Sequence, residues 1–168
     1  RTGRLDTDPV FAAPSGTGDC SQAAPCDLQT AVGTVADGGT VYLGQGAYTG
    51  TGPAVISLTQ SITIFGGWDS TTTVPPLREA DTYPTIIDGE EMRRCIRAEG
   101  PASVLIEGLT IAYGTVISTT PTGWDGAGLY ARGATLTLRD VNVYSNVVDV
   151  YDVEYSQAHG GGVAMNGG

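Results

Sequence analysis

Apolar and polar residues alternate with a period of two through most of the chain, and the alternation comes back in copies. Ser103–Gly114 (SVLIEGLTIAYG) and Thr135–Asn146 (TLTLRDVNVYSN) align at an offset of 32, which lays Val104 on Leu136, Ile106 on Leu138, Leu109 on Val141 and Ile111 on Val143. Gly128–Gly133 (GLYARG) returns as Gly162–Gly167 (GVAMNG) at an offset of 34, and Ser61–Gly67 (SITIFGG) is an earlier, looser copy. Short alternating strands between glycine turns, repeating at this length with no helix between them, predict an all-β solenoid.

The elements follow from the same pattern. Val10–Ala13 reads as a first strand. Asp27 is a good N-cap for one helix over Leu28–Asp37, in which Leu28, Ala31, Val32 and Val35 fall on one face and Gly38-Gly39 ends it. A single amphipathic helix ahead of a strand array reads as a lid over the first coil. Val41–Leu43 follows, then three coils of three strands. The first coil takes Val55–Leu58, Ile62–Phe65 and Thr85–Asp88. The second takes Cys95–Ala98, Val104–Ile106 and Leu109–Ala112. The third takes Leu129–Ala131, Leu136–Leu138 and Val141–Tyr144, and Val163–Met165 opens a fourth. Stacked in parallel about 4.8 Å apart, the coils place Ile62, Val104 and Leu136 in one inward column and Ile64, Ile106 and Leu138 in the next. Thr63, Thr110, Thr137 and Asn142 then face outward. An antiparallel sandwich is the alternative for short alternating strands, although hairpin dipeptides are scarce.

The length of 168 residues suits one domain over 1–168, with 1–39 as strand, cysteine loop and cap helix, and 40–168 as the coils. No apolar run is long enough to span a bilayer. Eighteen acidic residues against eight basic ones, all of them Arg, give a formal charge of −10 and disfavour nucleic acid as a partner. Cys20 and Cys26 are spaced for a local disulfide and match no zinc pattern, while Cys95 in a strand reads as a small buried hydrophobe. A disulfide places the chain outside the cytoplasm, extracellular or at the cell surface. The chain opens on Arg1, which fits removal of a leader. It stops after the first strand of a coil, which predicts either a piece of a longer solenoid or association between copies by stacking of open ends.

These residues resemble a known superfamily. Pro14-Ser15-Gly16, the cysteine loop, the helix and Gly39-Thr40-Val41-Tyr42-Leu43 look like the amino-terminal cap of right-handed parallel β-helix proteins of the pectate-lyase-like superfamily, closest to large secreted bacterial repeat proteins. Ile62–Gly67, Pro84–Gly89 (PTIIDG) and Gly160–Val163 carry the likeness onward. It implies a right-handed parallel β-helix with an N-terminal capping helix. It leaves function open, because such folds serve lyases, glycosidases and adhesins.

Three insertions interrupt the repeats: Trp68–Pro84, Thr115–Ala127 and Val147–His159. The last two follow equivalent strands and should rise from one edge, one above the other. They carry Trp124, Asp125, Asp149, Tyr151, Asp152, Glu154, Tyr155 and His159, with Tyr113 and Tyr144 nearby. Aromatic faces beside carboxylates suit a sugar ring, whose C–H face stacks while its hydroxyls donate. Trp124, Asp125, Tyr151, Asp152 and Tyr155 are the expected contacts to a glycan or surface protein, unless these rings simply pack the loops down. Asp125, Asp149 or Asp152 could supply a carboxylate pair, so a lyase or glycoside hydrolase acting on acidic polysaccharide is the alternative. A lyase also needs a base. The strands offer Arg97, Arg132 and Arg139, none close to those acids in sequence, and there is no Lys. The expectation is therefore a non-catalytic module. Asp149, Asp152 and Glu154 are the acids a structural Ca2+ would take, but no calcium repeat supports it and no cofactor is expected. Arg93-Arg94 beside Glu90 and Glu91 reads as a salt-bridged turn. Ser70–Pro76 and Ser118–Pro121 read as polar loops, with O-linked sugar acceptance as the other reading.

Overall fold

The computed structural model describes residues 8–118, 126–150 and 161–166. It is mostly β. In chain order the elements are β1 (Val10–Ala12), α1 (Leu28–Thr34), β2 (Gly39–Gly44), β3 (Gly46–Tyr48), β4 (Ala54–Leu58), β5 (Ile62–Trp68) and β6 (Thr85–Asp88). There follow β7 (Arg94–Glu99), β8 (Ser103–Ala112), β9 (Thr115–Ser118), β10 (Leu129–Arg132), β11 (Thr135–Tyr144), β12 (Val147–Val150) and β13 (Val163–Asn166). Every ladder between these strands is parallel, which removes the antiparallel sandwich.

The register reproduces the repeat. Residues 135–144 of β11 lie on 103–112 of β8 at a constant offset of 32, interrupted only opposite Gly108. The first half of β8 pairs with β5 and its second half with β6. In the second and third repeats the two apparent strands are thus one ten-residue strand, bent at Gly108 (φ +70°) in β8 and at Asp140 (φ 48°) in β11, whereas β5 and β6 stay separate. A second set of strands runs β4-β7-β10-β13.

Side chains stack on their counterparts. Val10, Val41, Ile64, Ile106 and Leu138 occupy one register column, and the first four are fully buried. Ile56, Ile96, Leu129 and Val163 form another on the second sheet. Burying one such side chain contributes about 1.5–3 kcal/mol. Burial fades along each column toward one end. Leu136, Leu138, Val141, Val143 and Val163 are only partly covered.

At the opposite end a helix and the cysteine loop cover part of the first strands. Leu28 and Ala31 of α1 are buried against the first strands. The Cys20–Cys26 disulfide is formed, and its loop takes up the outer edge of β1 through Phe11 N–H to Cys20 O and Cys26 N–H to Phe11 O. Asp27 accepts the Thr30 amide as N-cap. The helix stops at Thr34 instead of Asp37, because Val35 is already extended. The Gln60 side-chain amide, brought in from the connection between β4 and β5, donates to the Val32 and Val35 carbonyls.

Two further differences concern the start of the array. Gly46–Tyr48 is a strand, which the sequence pattern leaves unassigned. Trp68, placed at the head of an insertion by the sequence, completes β5 and is fully buried beside Phe11. On the outer face Phe11 stacks on Tyr42 at 5.2 Å, Phe65 meets Tyr42 at a tilt at 5.5 Å, and Arg78 lies 4.0 Å over Phe65.

Candidate functional site

The two later insertions begin as a ladder. Thr115 pairs with Val147, Val116 with Val148, Ile117 with Asp149 and Ser118 with Val150. The chain comes back from them side by side as well: Gly128 N–H donates to Gly161 O and Leu129 N–H to Gly162 O. Segments 119–125 and 151–160 therefore leave from, and return to, neighbouring positions. Trp124, Asp125, Tyr151, Asp152 and Tyr155, together with Glu154 and His159, lie outside the described residues. Asp149 sits on β12, half-buried.

A pair of aromatics marks the corner just before β9 and β12. Tyr113 and Tyr144 meet edge-on at 5.8 Å and are both exposed. The hydrogen bond to Tyr144 is the main cause raising the Tyr113 phenol above its ordinary pKa. Asn146 builds the corner. Its amide nitrogen donates to Ile111 O at 3.0 Å and Tyr144 O at 2.9 Å. Its Oδ1 accepts the Gly114 amide at 2.8 Å. Ile117 on β9 and Val147 on β12 are 66% and 53% exposed.

The outer face of the second sheet carries a cationic cluster. Register sets Arg97 beside Tyr130 and Glu99 beside Arg132. Arg94 donates to Gly126 O at 2.8 Å and lies 4.9 Å over the Tyr130 ring. Arg97 pairs with Glu99 at 2.8 Å, and its Nε is buried without a hydrogen-bond partner. Arg132 has no ion-pair partner among the described residues. It lines a shallow depression of ≈ 540 Å³ with Glu99 and Asn166. In a chain of charge −10, half of the eight arginines (Arg93, Arg94, Arg97 and Arg132) fall on β7, β10 and the turn into β7. Sequence reasoning places Arg97 and Arg132 on strands, reads Arg94 as part of a salt-bridged turn and does not single out Tyr130; the structure sets Arg94 on β7, over the Tyr130 ring. The equal spacing of Arg97 to Tyr130 and Glu99 to Arg132 was the available signal.

A third feature is a groove of ≈ 680 Å³ on the outer face of β8 and β11, walled by residues 78–84 and by Asp140 and Asn142. Its one arginine is committed: Arg78 donates to Gly66 O and pairs with Glu107 at 3.1 Å. Among the described residues no group of three or more acidic, His or Cys side chains is placed to hold a metal. The Arg93–Glu90 pair forms as the turn sequence predicts. In the Thr-rich stretch, Gln22 donates to the Thr71 and Thr73 carbonyls and ties it to the cysteine loop. Cys95 is free and buried, and burial is the main cause pushing its thiol up to about 12. No helix among the described residues is long and apolar enough to cross a membrane.

Comparison of the chain with known protein families, with curated proteins and with solved structures finds no match.

Proposed function

We propose that this chain is a non-catalytic extracellular or cell-surface module, built as a right-handed parallel β-helix with α1 as its cap, that contacts a glycan or surface protein. The parallel ladders at repeat-length offsets support the fold reading. The formed disulfide supports an oxidising location. The observation that carries the function is the side-by-side departure of segments 119–125 and 151–160 from β9 and β12. On this reading Trp124, Asp125, Tyr151, Asp152 and Tyr155 would make the contact, and the exposed Tyr113–Tyr144 pair at the start of β9 and β12 would add to it. Glycan binding by the intact chain tests this. Trp124→Ala and Tyr151→Ala should each weaken binding by tenfold or more, and unchanged binding in both removes these segments from the reading.

The arginine cluster around Tyr130 favours a second reading, in which the glycan is acidic and is also cleaved. Carboxylate or sulfate groups along a polysaccharide would meet Arg97 and Arg132, and Asp125, Asp149 or Asp152 would serve the chemistry. Incubation with uronate polysaccharides, with and without Ca2+, separates the two. Shortened products would favour the enzyme, and intact polymer that stays bound would favour the module. Association between copies through their open ends is a further part of the proposal.

A further inference from the structure

Two tyrosines that the repeat keeps out of step nevertheless meet. Tyr144 ends β11 opposite Ala112 on β8, so Tyr113 lies one residue beyond its register. Successive side chains of a regular strand point to opposite faces, which would turn the Tyr113 ring away from Tyr144. The backbone prevents that. Tyr113 leaves β8 in the left-handed region, at φ 57°, an uncommon conformation for so large a side chain. The rings then meet edge-on with centroids 5.8 Å apart, and the two hydroxyls share a hydrogen bond.

Both backbones are tied down beneath the rings. Tyr113 O accepts the Glu91 amide at 2.7 Å, and Tyr144 O accepts the Asn146 side-chain amide at 2.9 Å. Tyr113 is 36% exposed and Tyr144 45%, so the pair is open to a reagent from solvent. Among the described residues no other two tyrosine rings are in contact. Tyr42 meets Phe11 and Phe65, Tyr48 is buried, and Tyr130 lies under Arg94.

We propose that Tyr113 and Tyr144 form an oxidative cross-linking site, where peroxide and a peroxidase join the two rings as dityrosine and staple β8 to β11. Each phenol gives up one electron and its O–H proton and becomes a phenoxyl radical. The unpaired spin reaches the ring carbons beside the oxygen, and the two radicals pair as a carbon–carbon bond between such carbons. The hydrogen on each bonded carbon then moves to the phenol oxygen, which restores both aromatic rings. One hydrogen peroxide accepts the two electrons and two protons and becomes two waters. Proximity selects the partner, because a radical on either ring meets the other tyrosine before it meets another molecule. Being exposed, the rings can swing from edge-on contact to the placing the bond needs while their backbones stay put.

The bond links residues 31 apart in the chain, against 6 for the disulfide, and removes correspondingly more freedom from the unfolded state. It is independent of glycan contact and shares only the oxidising location with the proposed function.

The intact 168-residue chain, dilute and treated with hydrogen peroxide and a haem peroxidase, should gain dityrosine fluorescence at the mass of a monomer less two hydrogens. Tandem mass spectrometry of a digest should place the link between Tyr113 and Tyr144. Tyr113→Phe and Tyr144→Phe should each lower the monomer's dityrosine yield at least tenfold, and Tyr83→Phe should leave it unchanged. Circular dichroism should stay native in all three. The linked monomer should need more urea to unfold than the untreated chain. Links only between molecules, a link mapped to other tyrosines, or no dityrosine at all overturns the site. A link mapped to Tyr113 and Tyr144 that leaves the urea midpoint unmoved overturns the staple.

Discussion

Asn146 accepts the backbone N–H of Gly114, its counterpart one repeat earlier, at 2.8 Å. The same side chain donates to Ile111 O and Tyr144 O, so one amide joins two strands at the corner where the insertions begin. Asn146→Ala strips the buried Gly114 amide of its acceptor and should cost about 1–3 kcal/mol. Urea unfolding would read it. Asn146→Asp restores the acceptor but not the two donations, so it should recover only part of the loss.

Two glycines should respond in opposite directions to alanine. Gly33 lies in α1 with nothing within 4 Å of where a Cβ would stand. Gly33→Ala should stabilise by about 0.5–1 kcal/mol through helix propensity. At Gly114 the same atom would sit 2.1 Å from Ala127 O, a backbone atom that cannot swing away. Gly114→Ala should lower the melting temperature markedly, whereas Gly33→Ala raises it.

Asp27 gives the capped end an acid limit. Its hydrogen bonds to Thr30 are the largest cause lowering its pKa below 3.8. The carboxylate therefore contributes stability above that value and loses it as the pH falls through the lowered folded value. Asp27→Ala should cost about 1 kcal/mol at neutral pH. Asp27→Asn should keep most of the cap and flatten the acid dependence, as melting curves between neutral and strongly acidic pH would show.

Cys95 sets a limit at the alkaline end. Its thiol is raised from 9.0 to about 12 in the folded chain. Its contribution is intact below the unfolded value and declines as the pH rises from there toward the folded one. At pH 8 the native protein should resist alkylation by iodoacetamide, and one thiol should react once urea unfolds the chain with its disulfide intact. Rapid labelling of native protein would contradict the burial.

Sequence legibility tracked how many apolar residues each strand offers. Val104, Ile106, Leu109 and Ile111 match Leu136, Leu138, Val141 and Val143, and both the inward columns and the offset follow from them. β3 has only Tyr48 to point inward between glycines, so its alternation was invisible. Trp68 follows Gly66-Gly67 and looked like the start of a loop. A register shift between Tyr42 and Gly44 draws it into the ladder opposite Gly44, a cause that lies in the partner strand. The end of α1 has a cause of the same kind, since Gln60 reaches the Val32 and Val35 carbonyls from the connection between β4 and β5. On the site, the neighbouring departure of the two insertions could be foreseen from the offset of 32. The meeting of Arg94 with Tyr130 could not, because it depends on two side chains reaching across strands from residues 36 apart in the chain.

The unbroken offset between β8 and β11 has a practical side. Residues 103–134 span one repeat, and on the proposed β-helix reading each rung would touch only the rungs above and below it. Splicing a second copy of that stretch after Ala134 should lengthen the body by one strand spacing, roughly 4.8 Å. The helix-covered end and the final strand would be untouched. This protein therefore offers a ruler whose graduations can be added one at a time.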